Sequence, residues 1–191
     1  LTLINPGPTA PYTGMLPGYV AGHYRRNELE IDLVRLCRHA GARLVFDKAV
    51  HINQALREVT LETSGPVAYD LASIDVGITS KLDLLGFAKY GIGAKPLDLY
   101  AKRWSSFLEQ VLQGQAAADV AVIGGGVAGC ELAMAMAFAL QSAGVSPRVT
   151  VIESGPKISV VGDRARRRIL KALSDLGCLL YTSPSPRDVE E

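Results

Sequence analysis

Asp119 to Glu153 reads DVAVIGGGVAGCELAMAMAFALQSAGVSPRVTVIE, and the parsing of this stretch decides the fold. Val120 to Ile123 is a short apolar, β-rich run with the composition of a strand buried on both faces, and it stops at Gly124-Gly125-Gly126-Val127-Ala128-Gly129. Those six residues spell G-x-G-x-x-G. Each glycine of that pattern has a physical task. Gly124 makes a tight turn, Gly126 lets a pyrophosphate approach the backbone, and Gly129 lets the next helix pack closely on its strand. The helix expected from Val127 to Ser142 offers its unpaired first amides and the positive end of its dipole to a phosphate.

A lone glycine motif is weak, and its surroundings give it weight. A second strand, Arg148 to Ile152, follows the helix and ends in Glu153, 24 residues beyond Gly129. That is near the spacing at which a carboxylate accepts hydrogen bonds from an adenosine ribose. A charge there repels a 2′-phosphate, so NADH is expected rather than NADPH. Two plainer readings compete. Val120 to Leu140 is apolar enough to suggest a membrane span, but Glu131 and the glycine triplet interrupt it, and a buried strand–helix unit explains it better. Glu153 read as a surface acid at a strand end stays open.

At 191 residues, 48% hydrophobic and 20% charged, the chain has the composition of a soluble globular protein with one sizeable core or two small ones. A net charge of +1 argues against a nucleic-acid or membrane surface built on bulk charge. Cys37, Cys130 and Cys178 lie far apart without a C-x-x-C, so neither a disulfide framework nor a metal site is implied and a cytoplasmic setting is the default. His39 and His51 have no spaced partner ligand.

Around this centre, Leu1 to Ile4 reads as a strand ended by Asn5-Pro6-Gly7-Pro8. The segment to Tyr24 reads as one long apolar loop. Asn27 caps a helix with the stripe Leu29, Leu33, Leu36, Cys37 and Ala40, stopped by Gly41. Strand-like pieces follow at 43–46, 49–52, 58–62, 67–69 and 71–76: one buried parallel strand, a small antiparallel excursion, and a return strand. Pro96 suits the first turn of a helix with the face Leu97, Tyr100, Trp104, Leu108 and Val111. Residues 154–163 read as a loop and Arg164 to Asp175 as a helix whose Arg164, Arg167, Arg168 and Lys171 form a solvated face.

With these residues in view, the chain resembles the pyridine nucleotide-disulfide oxidoreductase superfamily, in which an FAD-binding Rossmann domain carries an inserted NAD(P)H domain often marked by G-G-G-x-x-G-x-E-L-A, here Gly124 to Ala133. Thr2 to Pro6, Pro11 to Gly18, Ala21 to Tyr24, Ile31 to Leu33, Tyr69 to Leu71, Lys95-Pro96 and Arg103-Trp104 are similar to the branch that resembles type II NADH dehydrogenases and is found alone or fused to selenide, water dikinase. The resemblance implies an α/β fold with two Rossmann-like dinucleotide-binding domains, both incomplete here, and a small antiparallel β excursion in the first. Residues 1–113 would be part of the FAD domain, without its first strand and glycine turn. Residues 114–177 would open the NAD(P)H domain.

The implied function is an FAD-dependent oxidoreductase that passes hydride from NADH to flavin and on to an acceptor, a quinone or a small molecule. The alternatives are a membrane-peripheral NADH:quinone reductase anchored through a C-terminus beyond this chain, a flavoprotein module fused to or associated with selenide, water dikinase, and a non-catalytic dinucleotide-binding fragment. NAD(H) would lie on Gly124 to Gly129 and Glu153. FAD would lie against Asn5, Pro6, Thr13, Gly14, Val50, Gly77 and Thr79, with Tyr12, Met15, His23 and Lys95 near the flavin. Asn5 stands where many relatives carry a ribose-binding acid, and the Tyr12 to Gly18 loop replaces the redox cysteine pair of disulfide reductases. No catalytic residue is assigned, and no nucleic-acid partner or metal is expected. A third strand should begin after Gly177. Instead residues 178–191 carry Pro184 and Pro186 and resemble a translated sequencing adapter, so the strand is expected to be missing.

Overall fold

The computed structural model describes residues 1–77, 84–159 and 162–183. In chain order its elements are β1 (Thr2–Asn5), β2 (Thr9–Pro11), a 3₁₀ turn (Thr13–Met15), α1 (Leu16–Val20), a 3₁₀ turn (Arg26–Leu29), β3 (Glu30–Asp32), α2 (Leu33–Ala40), β4 (Arg43–Phe46), β5 (Ala49–Asn53), β6 (Glu58–Leu61), β7 (Val67–Ala68), α3 (Phe87–Tyr90), α4 (Leu97–Leu112), β8 (Asp119–Ile123), α5 (Val127–Ser142), β9 (Arg148–Glu153), α6 (Asp163–Asp175) and β10 (Leu179–Thr182). They divide into two compact units, residues 1–12 with 27–96 and residues 13–26 with 97–191. Helices α1 and α4 fall in the second of these units, with α5.

In the first unit, β1 and β4 form a parallel pair with Thr2 opposite Arg43 and Asn5 opposite Phe46, joined through α2. α2 begins later than expected. Asp32, not Asn27, is its cap, with the carboxylate accepting from the Arg35 amide at 2.9 Å, and residues 30–32 are instead β3, antiparallel to β2. Gly41 closes the helix at φ +62°, the left-handed conformation its sequence position anticipates. Leu33 and Cys37 are buried, but Leu36 is 48% exposed, because the helix starts at Leu33 and only its short inner stripe reaches the strands.

β5, β6 and β7 form the expected antiparallel excursion in the order β5-β6-β7. Asp47 pins it: its buried carboxylate accepts from the Ser64 amide at 2.7 Å, the Thr63 hydroxyl at 2.8 Å and the Lys48 amide at 2.7 Å. The return strand expected at 71–76 is not formed. Leu71 and Val76 are 92% and 85% exposed, and among the described residues no strand pairs with this segment, so its apolar content alone does not make it a strand.

The second unit is a βαβαβ run. β8 and β9 pair in parallel with Val120 opposite Val149, β9 and β10 pair in parallel with Leu180 opposite Val151, and the strand order is β10-β9-β8. Its core is Cys130, Ala133 and Ala137 of α5, Val149 and Val151 of β9, Leu173 of α6 and Ile158, with Val120, Val122 and Leu180 packed against them. A fully buried side chain such as Ile158 stabilises by about 1.5–3 kcal/mol. β8 is not buried on both faces: Val120 and Val122 turn to the core while Ile123, on the other face, is 63% exposed.

The apolar helix expected at 127–142 is buried rather than membrane-spanning. Its many small side chains admit close neighbours, and α1 lies against it. Among the described residues no helix is long and apolar enough to cross a membrane. The loop expected from Asn5 to Tyr24 contains β2 and also α1, started by Leu16-Pro17 and anchored by buried Leu16 and Val20. The strand expected to be absent after Gly177 is present as β10, because Leu-Leu-Tyr-Thr completes four β-prone residues before the first proline at 184.

Candidate functional site

The site grows out of the end of β8. The Gly124 amide donates to Ile152 O at 2.8 Å, closing the sheet at the turn, and Gly124 itself adopts φ +109°, which a residue with a side chain rarely takes. At Gly129 an added Cβ would meet the Gly124 carbonyl oxygen at 2.0 Å. The helix thus approaches the strand as closely as the third glycine of the pattern permits.

Gly126 differs from both. Its backbone is extended at φ −71°, ψ 174°, it stands at the N-cap of α5 with no side-chain cap, and a Cβ there would find nothing among the described residues within 4 Å. The space over this glycine is open, and the first turn of α5, Val127 to Gly129, faces no capping side chain. An anion fits there because helix-end amides lack intrahelical partners.

Gly125 lies between them, held at both ends. Its amide donates to Glu153 Oε2 at 2.8 Å, and its carbonyl accepts from the Ser159 amide at 2.9 Å and from Cys130 Sγ at 3.7 Å. Glu153 Oε1 accepts from the Gly155 amide at 2.9 Å and the Ser154 hydroxyl at 3.3 Å. The amides of Gly155 and then Gly125 hold the Glu153 carboxyl below the usual glutamate range, so it is charged at neutral pH. Burial first, then the charges of Glu153 and Glu131, pushes the Cys130 thiol up, which makes it a packing residue rather than a nucleophile.

The structure therefore brings Gly124, Gly125, Gly126, Val127, Ala128, Gly129 and Glu153 together in one turn. It does not gather the seven positions named for FAD in one unit. Asn5, Pro6, Val50 and Gly77 lie in the first unit, Thr13 and Gly14 in the second, and Thr79 lies outside the described residues. Asn5 uses its amide locally, donating to Gly7 O at 2.8 Å. Among the described residues no cluster of histidine, cysteine and carboxylate side chains is arranged to hold a metal ion. Sequence reading missed the return of 158–159 to the turn, where Ile158 is buried and Ser159 bridges to Gly126. The available signal was the β-prone sequence Ile158-Ser159-Val160-Val161 inside a stretch read as loop.

Solved structures share this fold. NDH2 from Plasmodium falciparum in complex with NADH superposes with a TM-score of 0.74 at 18% identity, over 95% of this chain and 42% of that one. The NAD-dependent persulfide reductase from A. fulgidus gives 0.72 at 20% identity over 96% and 35%. A ferredoxin reductase from Rhodopseudomonas palustris gives 0.72 at 21% identity over 95% and 43%. The chain thus spans between 35% and 43% of the length of these structures. No curated protein matches. The sequence profile described as pyridine nucleotide-disulphide oxidoreductase matches residues 1–191, and with the βαβαβ unit and its glycine turn this places the chain in the pyridine nucleotide-disulphide oxidoreductase family.

Proposed function

We propose that the protein to which this chain belongs is an FAD-dependent oxidoreductase that takes hydride from NADH at Gly124 to Gly129 and delivers electrons to an acceptor. FAD and NAD(H) are the cofactors of the family the chain belongs to. The observation that carries the reading is the open face over Gly126 at the mouth of a glycine turn whose two neighbours, Gly124 and Gly129, are glycine for internal reasons. Only Gly126 is left without a structural reason, and a ligand lying on its backbone provides one.

In this reading the amides at the start of α5 hold the pyrophosphate, and Glu153 accepts a ribose hydroxyl. Oε1 already takes the Gly155 amide and the Ser154 hydroxyl, but Oε2 takes only the Gly125 amide, and an ionised carboxylate has about four acceptor sites, so Oε2 has room for a second donor. When bound, the cofactors supply hydride donation and acceptance, so the chain's part is to bind, orient and exclude water. The FAD positions Asn5, Pro6, Thr13, Gly14, Val50, Gly77 and Thr79 rest on family resemblance.

Anaerobic titration of the full-length protein with NADH, followed through flavin absorbance, tests donor and cofactor together. Stoichiometric bleaching is expected, and an unchanged flavin spectrum refutes the proposal. An acceptor screen should then cover quinones, small molecules and ferredoxin-type proteins.

A further inference from the structure

We infer that Glu153 is a positioning residue that fixes the phosphate-binding turn before any nucleotide arrives, by tying Gly125 to Gly155. The inference deepens the proposed function and rests on reading Gly124 to Gly129 as the nucleotide site. Three consecutive glycines form the turn, and glycine is the residue with the most backbone freedom to lose. A turn left to wander would have to be ordered by the ligand, and ordering one residue's backbone costs on the order of tenfold in affinity.

The contacts around Gly125 remove that freedom. Peptide units are planar, so fixing one atom of a unit fixes the direction of the other polar atom across it. The unit joining Gly124 and Gly125 is held through the Gly125 amide on Glu153 Oε2 at 2.8 Å. The next unit, which contains the Gly126 amide, is held through Gly125 O by the Ser159 amide at 2.9 Å and Cys130 Sγ at 3.7 Å. Ser159 is itself placed by buried Ile158 and by the turn at 154–155, where Glu153 Oε1 takes the Gly155 amide at 2.9 Å. One carboxylate thus ties the glycine turn to the 154–155 turn. Gly125 is glycine for the same reason: an added Cβ would lie 2.9 Å from both Cβ and Oε2 of Glu153.

A residue that only touched ribose would leave the nucleotide-free turn unchanged when altered, whereas a brace would not. The experiment is amide hydrogen exchange over residues 124–130 of the nucleotide-free, full-length flavoprotein, for the native protein, Glu153→Gln and Gly125→Ala. Gln keeps one acceptor oxygen and places an NH₂ against the other amide. Ala at 125 displaces the carboxylate sterically yet leaves its charge available to ribose. Exchange about tenfold faster in Glu153→Gln, with global unfolding unchanged, is the expected result. Should Glu153→Gln not fold, the same acceleration is required of Gly125→Ala. Unaltered exchange overturns the brace even if NADH affinity falls, since that assigns Glu153 to ribose alone. Failure of NADH to bleach the flavin would strike the proposed function and leave the exchange result standing.

Discussion

Gly129 lies so close to Gly124 that a methyl group on it would come 2.0 Å from the Gly124 carbonyl oxygen, a backbone atom with no side-chain freedom to yield. Gly129→Ala must therefore push α5 away from β8. A loss of about 1–3 kcal/mol in denaturant unfolding is expected, the usual cost of overpacking, together with weaker NADH binding because the helix start moves.

Gly126→Ala should behave in the opposite way. Its φ of −71° suits any residue and its Cβ meets nothing among the described residues, so stability should stay within about 0.5 kcal/mol of native. NADH affinity in the full-length protein should fall at least about tenfold, or 1.4 kcal/mol, because the methyl fills the space a phosphate would use. Native-like affinity, read by fluorescence titration, would contradict the site.

Nucleotide choice follows from the ionised Glu153. Its carboxyl is held below the ordinary range by the Gly155 and Gly125 amides, so at neutral pH a 2′-phosphate meets a full negative charge. NADPH is expected to bind at least about tenfold more weakly than NADH. Equal Kd values would remove Glu153 from the ribose end of the site.

Tyr100 is buried in α4 with its hydroxyl lacking a hydrogen-bond partner among the described residues, and burial pushes the phenol up to about 12. Tyr100→Phe removes an unsatisfied polar group and keeps the ring. Thermal unfolding should show no loss and up to about 1–3 kcal/mol of gain.

Asp47 should govern the acid stability of the first unit. Hydrogen bonds led by Ser64 hold its carboxyl well below the usual aspartate range. A depressed folded value means the stabilisation is complete above the unfolded aspartate value and is lost only as pH falls through the lower folded one. Asp47→Asn should lower Tm by several degrees at pH 7, and the gap to the native protein should narrow as pH drops below the ordinary aspartate range. A gap that widens on acidification would show that the charge is not what holds Thr63 and Ser64.

Two expectations concern residues 1–191 taken alone. Residues 1–191 purified alone should be colourless, since among the described residues the first unit offers no glycine turn like that after β8. Stoichiometric yellow flavin would refute this. Any short β-prone segment can pair with an exposed strand edge, as β10 at the start of residues 178–191 does on β9. Codons unlike a sequencing adapter would make the segment native.

The sequence by itself determined the run from β8 through α5 to β9 almost residue by residue. A strand, a glycine turn and a long apolar helix leave few alternatives when each glycine relieves a local steric demand, and α5 lies at Val127–Ser142 as the pattern requires. Local chemistry likewise marked Gly41 as a helix stop and 49–68 as an antiparallel excursion. Tertiary structure decided what depends on partners distant in the chain. Leu71 to Val76 has strand composition but no edge to pair with among the described residues, Glu30 to Asp32 left the predicted helix because β2 offered an antiparallel partner, and 158–159 left the loop to clamp Gly125. Strand pairing and backbone clamps are contacts between remote residues, and a pattern of side chains along one segment records only that segment's readiness to make them.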